Sequence, residues 1–258
     1  MQSSNPRLRV VIPARYGSSR LPGKPLVDLA GKPMIVRVYE AVSAALDDAD
    51  IVVALDDERI QAVLLQHGIS SGVMTDVGHE SGTDRTAEVA RKLGWADTDI
   101  IINVQGDEPL VPSDLLRSFA EFCRKSENFS MGTVSVPIEN VEQLHDPNVV
   151  KLMVDIKDRA ITFSRWAVPF NRELPPEQWQ LKDYLRHIGI YAYRTGILEQ
   201  ITATSPCRIE RMERLEQLRA LWLGIPIYVL RWDCSHPQGV DTVQDVERIV
   251  ALLEKESM

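Results

Sequence analysis

Val11-Ile12-Pro13-Ala14-Arg15-Tyr16-Gly17-Ser18-Ser19-Arg20-Leu21-Pro22-Gly23-Lys24-Pro25 takes the chain out of a mainly apolar run, Leu8 to Ile12, into a loop with three cations and two glycines. A short run of this kind reads as a buried parallel strand, ended here by Pro13. In the loop, glycines let backbone N–H groups approach an anion, while Arg15, Arg20 and Lys24 supply charge, as a nucleoside triphosphate requires. Two familiar phosphate loops are excluded by counting. A Walker A loop has four residues between its first Gly and the Gly-Lys pair, with Ser or Thr next. Here Gly17 and Gly23 enclose five residues and Pro25 follows Lys24. The dinucleotide fingerprint G-x-G-x-x-G is also missing. The same residues suit a basic turn between a strand and a helix, so the loop alone leaves both readings open.

Working outward, strand-like runs at Leu8–Ile12, Ile51–Leu55, Ser71–Met74 and Asp99–Val104 alternate with helical patterns near Met34–Leu46, Glu58–His67, Thr83–Leu93 and Ser113–Lys125. Alternation of this kind predicts βαβ units and a mostly parallel sheet, with ligands beyond the carboxyl ends of its strands. The loops after Ile12 and after Val104 emerge at that edge. Beyond residue 130 the rhythm changes to strands at Met131–Val136, Val149–Asp155 and Ile188–Tyr193, with a Pro-rich polar loop at Asn171–Gln180. A helix over Glu210–Leu223, a strand at Ile227–Trp232 and a helix over Thr242–Leu253 close the pattern. No internal repeat or low-complexity tract interrupts it.

Composition narrows the class. The 258 residues, 44% apolar and 26% charged, suit a soluble α/β domain or a main domain with an inserted lobe. A net charge of −8, from 37 acids against 29 bases, argues against a nucleic-acid or anionic-membrane binder, so an anionic ligand must be met by local cations. Cys123, Cys207 and Cys234 lie far apart with no C-x-x-C pair, which suggests neither a zinc knuckle nor a disulfide framework and fits the cytoplasm. The polar stretch Met1–Arg9 has no signal-peptide core and no run has the length of a membrane span. The expectation is a protein neither secreted nor membrane-embedded.

Asn103-Val104-Gln105-Gly106-Asp107-Glu108-Pro109 ends a strand in a Gly turn that presents Asp107. A triphosphate needs Mg²⁺, a hard ion completed by one or two carboxylates, water and phosphate oxygens, and Asp107 stands where such a ligand belongs. An ordinary β-to-α turn stopped by Pro109 remains the competing reading. In Gly239-Val240-Asp241-Thr242, just before the last helix, spacing alone favours an N-cap, with Asp241 as a second metal carboxylate the alternative. His67, His79, His145, His187 and His236 lack metal spacing and read as structural, except that His187, after Arg186 at a strand start, could face a cleft. Ser18 and Ser19 sit in no G-x-S-x-G elbow, so serine hydrolase chemistry lacks support.

With these residues in view, the chain resembles the CMP-Kdo synthetase family from end to end. The resemblance rests on Ile12–Tyr16 through Leu21–Leu26, on Ser81-Gly82-Thr83-Asp84-Arg85, Asn103–Pro109, Phe163-Ser164-Arg165, Arg186–Tyr191, Leu215–Arg219 and Gly239–Thr242. It implies an α/β fold of nucleotidyltransferase type, a mostly parallel sheet flanked by helices with an inserted smaller antiparallel lobe. Residues 1–258 would form a single nucleotidyltransferase domain, with the lobe, sugar-binding and dimer elements near 130–195. It further implies a cytoplasmic homodimer that transfers CMP from CTP to the anomeric hydroxyl of Kdo with Mg²⁺, giving CMP-Kdo and pyrophosphate for lipopolysaccharide synthesis. Transfer to a related acidic sugar, 8-amino-Kdo or sialic acid, and a non-catalytic nucleotide-binding regulator are the alternatives.

Carried onto this sequence, the resemblance makes Arg15, Lys24, Asp107 and Asp241 catalytic and Asp107 and Asp241 the Mg²⁺ ligands. Ala14, Arg15, Lys24, Arg85, Gln105 and Asp107 would bind nucleotide. Gln105, Arg172, His187, Tyr191, Glu216 and Gln217 would line the sugar pocket, with Arg172 and His187 toward the Kdo carboxylate.

Overall fold

A computed structural model of the chain describes residues 6–18, 20–126, 129–234 and 239–256. Ser19 and His236, named above, lie outside them. The chain divides into two compact units, residues 1–121 with 236–258, and residues 122–235.

The first unit is βαβ throughout. Strands β1 (Leu8–Ala14), β2 (Asp50–Leu55), β3 (Gly72–Met74) and β4 (Ile100–Asn103) alternate with helices α1 (Met34–Ala45), α2 (Glu58–Gln66) and α3 (Gly82–Leu93). All pairings are parallel, in the order β3-β2-β1-β4. Val10, Val11 and Ile12 of β1 and Ile101 and Ile102 of β4 are fully buried, as strands covered on both faces require. Helix α1 buries Ile35, Val38, Val42 and Ala45, positions that recur every three to four residues on one face. Asp57 caps α2 by accepting from Arg59 N–H at 2.9 Å, and Ser81 caps α3 by accepting from Asp84 N–H at 3.0 Å, each worth about 1 kcal/mol.

Pro13 does not end β1, contrary to expectation. The ladder with β2 continues to Ala14 opposite Leu55, whereas that with β4 stops at Val11 opposite Asn103. The Pro13 carbonyl faces Gly106 on the β4 side. In a strand the nitrogen and carbonyl of one residue point the same way, so the missing N–H faces a side where the ladder has already finished.

Helix α4 (Ser113–Lys125) leads into the second unit. There β5 (Met131–Pro137) is followed by α5 (Val141–His145), the hairpin β6 (Lys151–Val154) and β7 (Ala160–Ser164), and the long β8 (Leu185–Arg194). After these come α6 (Thr195–Thr202), α7 (Arg208–Glu213), α8 (Gln217–Trp222) and β9 (Ile227–Arg231). β5 pairs antiparallel with β8 and parallel with β9, and β6 pairs antiparallel with β7 and β8. The fold is thus mixed α/β, parallel strands flanked by helices together with antiparallel ones.

The helix expected over Glu210–Leu223 is two helices. Arg214 closes α7 at φ 53°, and Arg165 supplies the donors that stop it: Nε donates to Glu213 O at 2.6 Å and Nη2 to Arg214 O at 3.3 Å. The polar loop at 171–180 is pinned by Trp179, which stacks on Tyr184 at 5.7 Å and donates from Nε1 to Leu174 O at 2.8 Å. The last helix, α9 (Val243–Glu256), belongs to the first unit. Among the described residues no helix is long and apolar enough to cross a membrane.

Candidate active site

From β1 the chain winds one way to β3 and then places β4 on the other side of β1. Ligands gather at such a reversal, beyond the carboxyl ends of the two neighbouring strands. The loops after β1 and β4 are drawn together there by close approach. A Cβ added at Gly106 would lie 2.5 Å from Pro13 O, so only glycine lets the two strand ends meet. The third segment joins by backbone: Val240 N–H donates to Asp107 O at 2.9 Å. Gly23, at φ +66°, turns the β1 loop so that Lys24 starts a short 3₁₀ turn with Pro25 buried beneath it.

These approaches gather the charged groups. Lys24 Nζ lies 2.5 Å from Asp107 Oδ2 and 2.8 Å from Asp241 Oδ1, and Arg20 Nη2 lies 3.0 Å from Asp241 Oδ1. Burial alone would push the Lys24 pKa down. The two carboxylates outweigh it, and the net shift is upward.

Around this cluster is a polar cavity of about 290 Å³. Ala14, Arg15, Lys24, Arg85, Gln105, Asp107 and Asp241, the residues assigned from the sequence to nucleotide and metal, all line it. Arg20, His79 and Ser81 join them, Ser81 as the cap of α3, whose N-terminal dipole end suits an anion. Arg85 is 2% exposed; its Nη2 donates to Asp56 Oδ2 at 3.1 Å, and its Nη1 donates to the Thr75 hydroxyl and to Asp76 O. Burial lowers the Arg85 pKa; Asp56 acts against it and neighbouring Arg15 with it.

His79, read as structural, also faces this cavity, its Nε2 2.5 Å from Glu88 Oε2. Burial would raise the Glu88 pKa, but Lys92, Asp76 N–H and His79 hold it at about 2. An ionised carboxylate only accepts, so Nε2 carries the proton shared with Glu88.

The two readings of Asp241 separate cleanly. Asp245 N–H donates to Thr242 Oγ1 at 3.3 Å, while Asp245 Oδ2 accepts from Thr242 N–H at 2.9 Å and from Asp241 N–H at 3.1 Å. Thr242 and Asp245 therefore form the capping box of α9, and the Asp241 carboxylate is left to the cations. The Thr-x-x-Asp spacing is the sequence signal that distinguishes the two.

In the second unit, His187 and Tyr191 stand on β8 with ring centroids 5.2 Å apart. Thr133 Oγ1 lies 2.9 Å from Ile190 O and 3.2 Å from Ile188 O, so its proton goes to a carbonyl and it accepts from His187 Nε2 at 3.0 Å. Burial pushes the His187 pKa down to about 3, leaving a neutral imidazole with Nδ1 as an acceptor. Burial, with Tyr193 and Glu216 adding to it, lifts the Tyr191 phenol well above its ordinary range. Gln217 is buried at the start of α8, next to Glu216. Arg172 is exposed on the 171–180 loop, and among the described residues no hydrogen bond or ion pair joins it to this group.

Among the described residues no three His, Cys, Asp or Glu side chains gather for a metal. Any cation here would rest on Asp107 and Asp241 and on ligand oxygens, the donor set of a hard ion such as Mg²⁺. The residues fit, because oxygens of both carboxylates already reach one ammonium.

The cytidylyltransferase family profile matches residues 9–227. A 3-deoxy-manno-octulosonate cytidylyltransferase 2 of Paraburkholderia phytofirmans is 58% identical, covering 97% of this chain and 96% of its own. A 3-deoxy-manno-octulosonate cytidylyltransferase of Thioalkalivibrio sulfidiphilus is 49% identical over 95% and 98%. The solved CMP:2-keto-3-deoxy-manno-octonic acid synthetase, complexed with CTP, superposes with a TM-score of 0.88 at 38% identity, covering 97% of this chain and 99% of that one. With similarity of this degree over nearly its whole length, the chain belongs to the 3-deoxy-manno-octulosonate cytidylyltransferase family.

Proposed function

We propose that the protein transfers CMP from CTP to the anomeric hydroxyl of Kdo, and that the cavity of the first unit holds the CTP. The observation that carries the reading is the cluster of Lys24, Asp107 and Asp241 at the β1–β4 strand ends, ringed by Arg15, Arg20 and Arg85. The Kdo hydroxyl gives up its proton to solvent and its oxygen bonds to the α-phosphorus as the bond from that phosphorus to the α,β-bridging oxygen breaks and pyrophosphate leaves. Little covalent work falls to side chains in such a transfer; positioning and charge stabilisation dominate. Lys24, Arg15 and Arg85 would neutralise the triphosphate, and Ala14 and Gln105 would shape the wall against nucleoside and sugar. Asp107 and Asp241 would hold Mg²⁺, which when bound supplies Lewis-acid stabilisation of phosphate charge and lowers the pKa of a coordinated hydroxyl.

In the second unit Tyr191, Glu216 and Gln217 are assigned to sugar hydroxyls. A neutral His187 whose Nε2 meets Thr133 keeps Nδ1 as an acceptor, which suits a hydroxyl better than the Kdo carboxylate; that carboxylate falls to Arg172. The product would enter lipopolysaccharide synthesis, in the cytoplasm and from a homodimer.

Pyrophosphate release tests the reading. CTP with Kdo and Mg²⁺ should yield one pyrophosphate per CMP-Kdo, EDTA should stop it, and 8-amino-Kdo and sialic acid should be poorer acceptors. Equal rates with sialic acid would transfer the assignment to another acidic sugar. CTP binding without turnover on any of the three would return the protein to a nucleotide-binding regulator.

A further inference from the structure

Asp56, directly after β2, faces none of the cavity, yet it holds two parts of the wall. Its side chain is 7% exposed. Oδ1 accepts from Tyr16 N–H at 2.9 Å, and Oδ2 accepts from Arg85 Nη2 at 3.1 Å. Tyr16 lies between Arg15 and Gly17, which both line the cavity, so this hydrogen bond fixes the loop at its centre. A guanidinium as buried as that of Arg85 needs a paired carboxylate to stay where it is.

The next residues secure the same loop by its ring. Asp57 holds Arg59 through two hydrogen bonds, at 2.8 and 2.6 Å, and the Arg59 guanidinium lies 3.5 Å from the centre of the Tyr16 ring. The hydroxyl end of Tyr16 packs against Gly23: a Cβ there would come within 3.4 Å of it. The contact therefore passes from Asp57 through Arg59 and Tyr16 to the residue before Lys24.

We propose that Asp56 is a positioning residue of the nucleotide site, one carboxylate that sets both the Arg85 guanidinium and the β1 loop where the triphosphate meets them. This rests on the reading of the cavity as the CTP site. Asp56→Asn keeps the shape and an acceptor for Tyr16 N–H but turns an amide N–H toward Arg85.

Calorimetry and steady-state kinetics test it. In Asp56→Asn the CTP Kd should rise at least about tenfold while the KM for Kdo stays within about twofold. Combined with Arg85→Met, the loss should fall well short of the product of the two single losses, because both act through one contact. Wild-type CTP affinity in Asp56→Asn, or multiplicative losses, would overturn the proposal. Absence of CTP binding in the wild type would instead remove the cavity reading itself. Should Asp56→Asn fail to fold, Asp56→Glu carries the test, since it keeps the charge but moves the carboxylate oxygens by one methylene relative to Tyr16 N–H and Arg85 Nη2. A CTP Kd raised about threefold at unchanged KM for Kdo supports the proposal, and wild-type CTP affinity overturns it.

Discussion

Lys24 and Asp107 are ion-paired at 2.5 Å, and the same ammonium reaches Asp241 at 2.8 Å, so the cation assigned to the triphosphate neutralises the carboxylates assigned to the metal. A divalent ion that takes both carboxylates must displace Lys24, and a triphosphate that takes Lys24 frees them. Binding should therefore be synergistic. Mn²⁺ measured by EPR should bind at least about tenfold more tightly with an unreactive CTP analogue present, a coupling of about 1.4 kcal/mol. Lys24→Met should tighten Mn²⁺ binding without nucleotide. Unchanged Mn²⁺ affinity in that variant would mean that the ammonium does not compete for the site.

Asp107→Asn should fold normally, because a half-buried loop carboxylate contributes little to packing, yet lose most turnover. The amide has no charge to hold a metal or to orient Lys24. Losing about 4 kcal/mol of transition-state stabilisation corresponds to roughly a thousandfold in kcat. More than about a tenth of wild-type activity at saturating Mg²⁺ would remove Asp107 from the reaction.

Asp241 and its neighbour should separate activity from stability. Asp241→Ser leaves the Thr242–Asp245 capping box in place and should keep its Tm while losing turnover. Thr242→Ala should lose about 1 kcal/mol of stability with turnover reduced far less. Thermal melts and pyrophosphate release on both variants decide it; an active, destabilised Asp241→Ser would reverse the roles.

The first unit was legible because the apolar runs of β1, β2 and β4 are largely buried and its helices are amphipathic, so each element carries its own pattern. Asp107 and Lys24 could be read because Gly and Pro mark their turns. Asp56 could not: one more acid at a strand end carries no signal until the fold brings Tyr16 and Arg85 to it. β7 was missed although Asp155–Arg159 is a turn between two apolar runs, with Asp158 at φ 51°. The stop after Glu213 depends on Arg165, far away in sequence, and local pattern could not supply it.

His187 should make part of the protein's acid sensitivity removable. An unfolded imidazole titrates near pH 6.5, whereas burial holds the folded one near 3. Between those values the unfolded chain binds more protons, so stability falls as pH falls through that window and is unaffected by this group above it. At pH 5 the contribution is at most about 2 kcal/mol, reduced to the extent that solvent reaches the ring. His187→Gln cannot titrate and should lose correspondingly less stability between pH 7 and pH 5 in urea unfolding. The NMR signal of His187 in the wild type should remain that of a neutral ring at pH 5. Equal losses in the two proteins, or a ring half-protonated near pH 6, would show that the imidazole is solvated enough to carry charge, and would reopen His187 as a partner for a carboxylate.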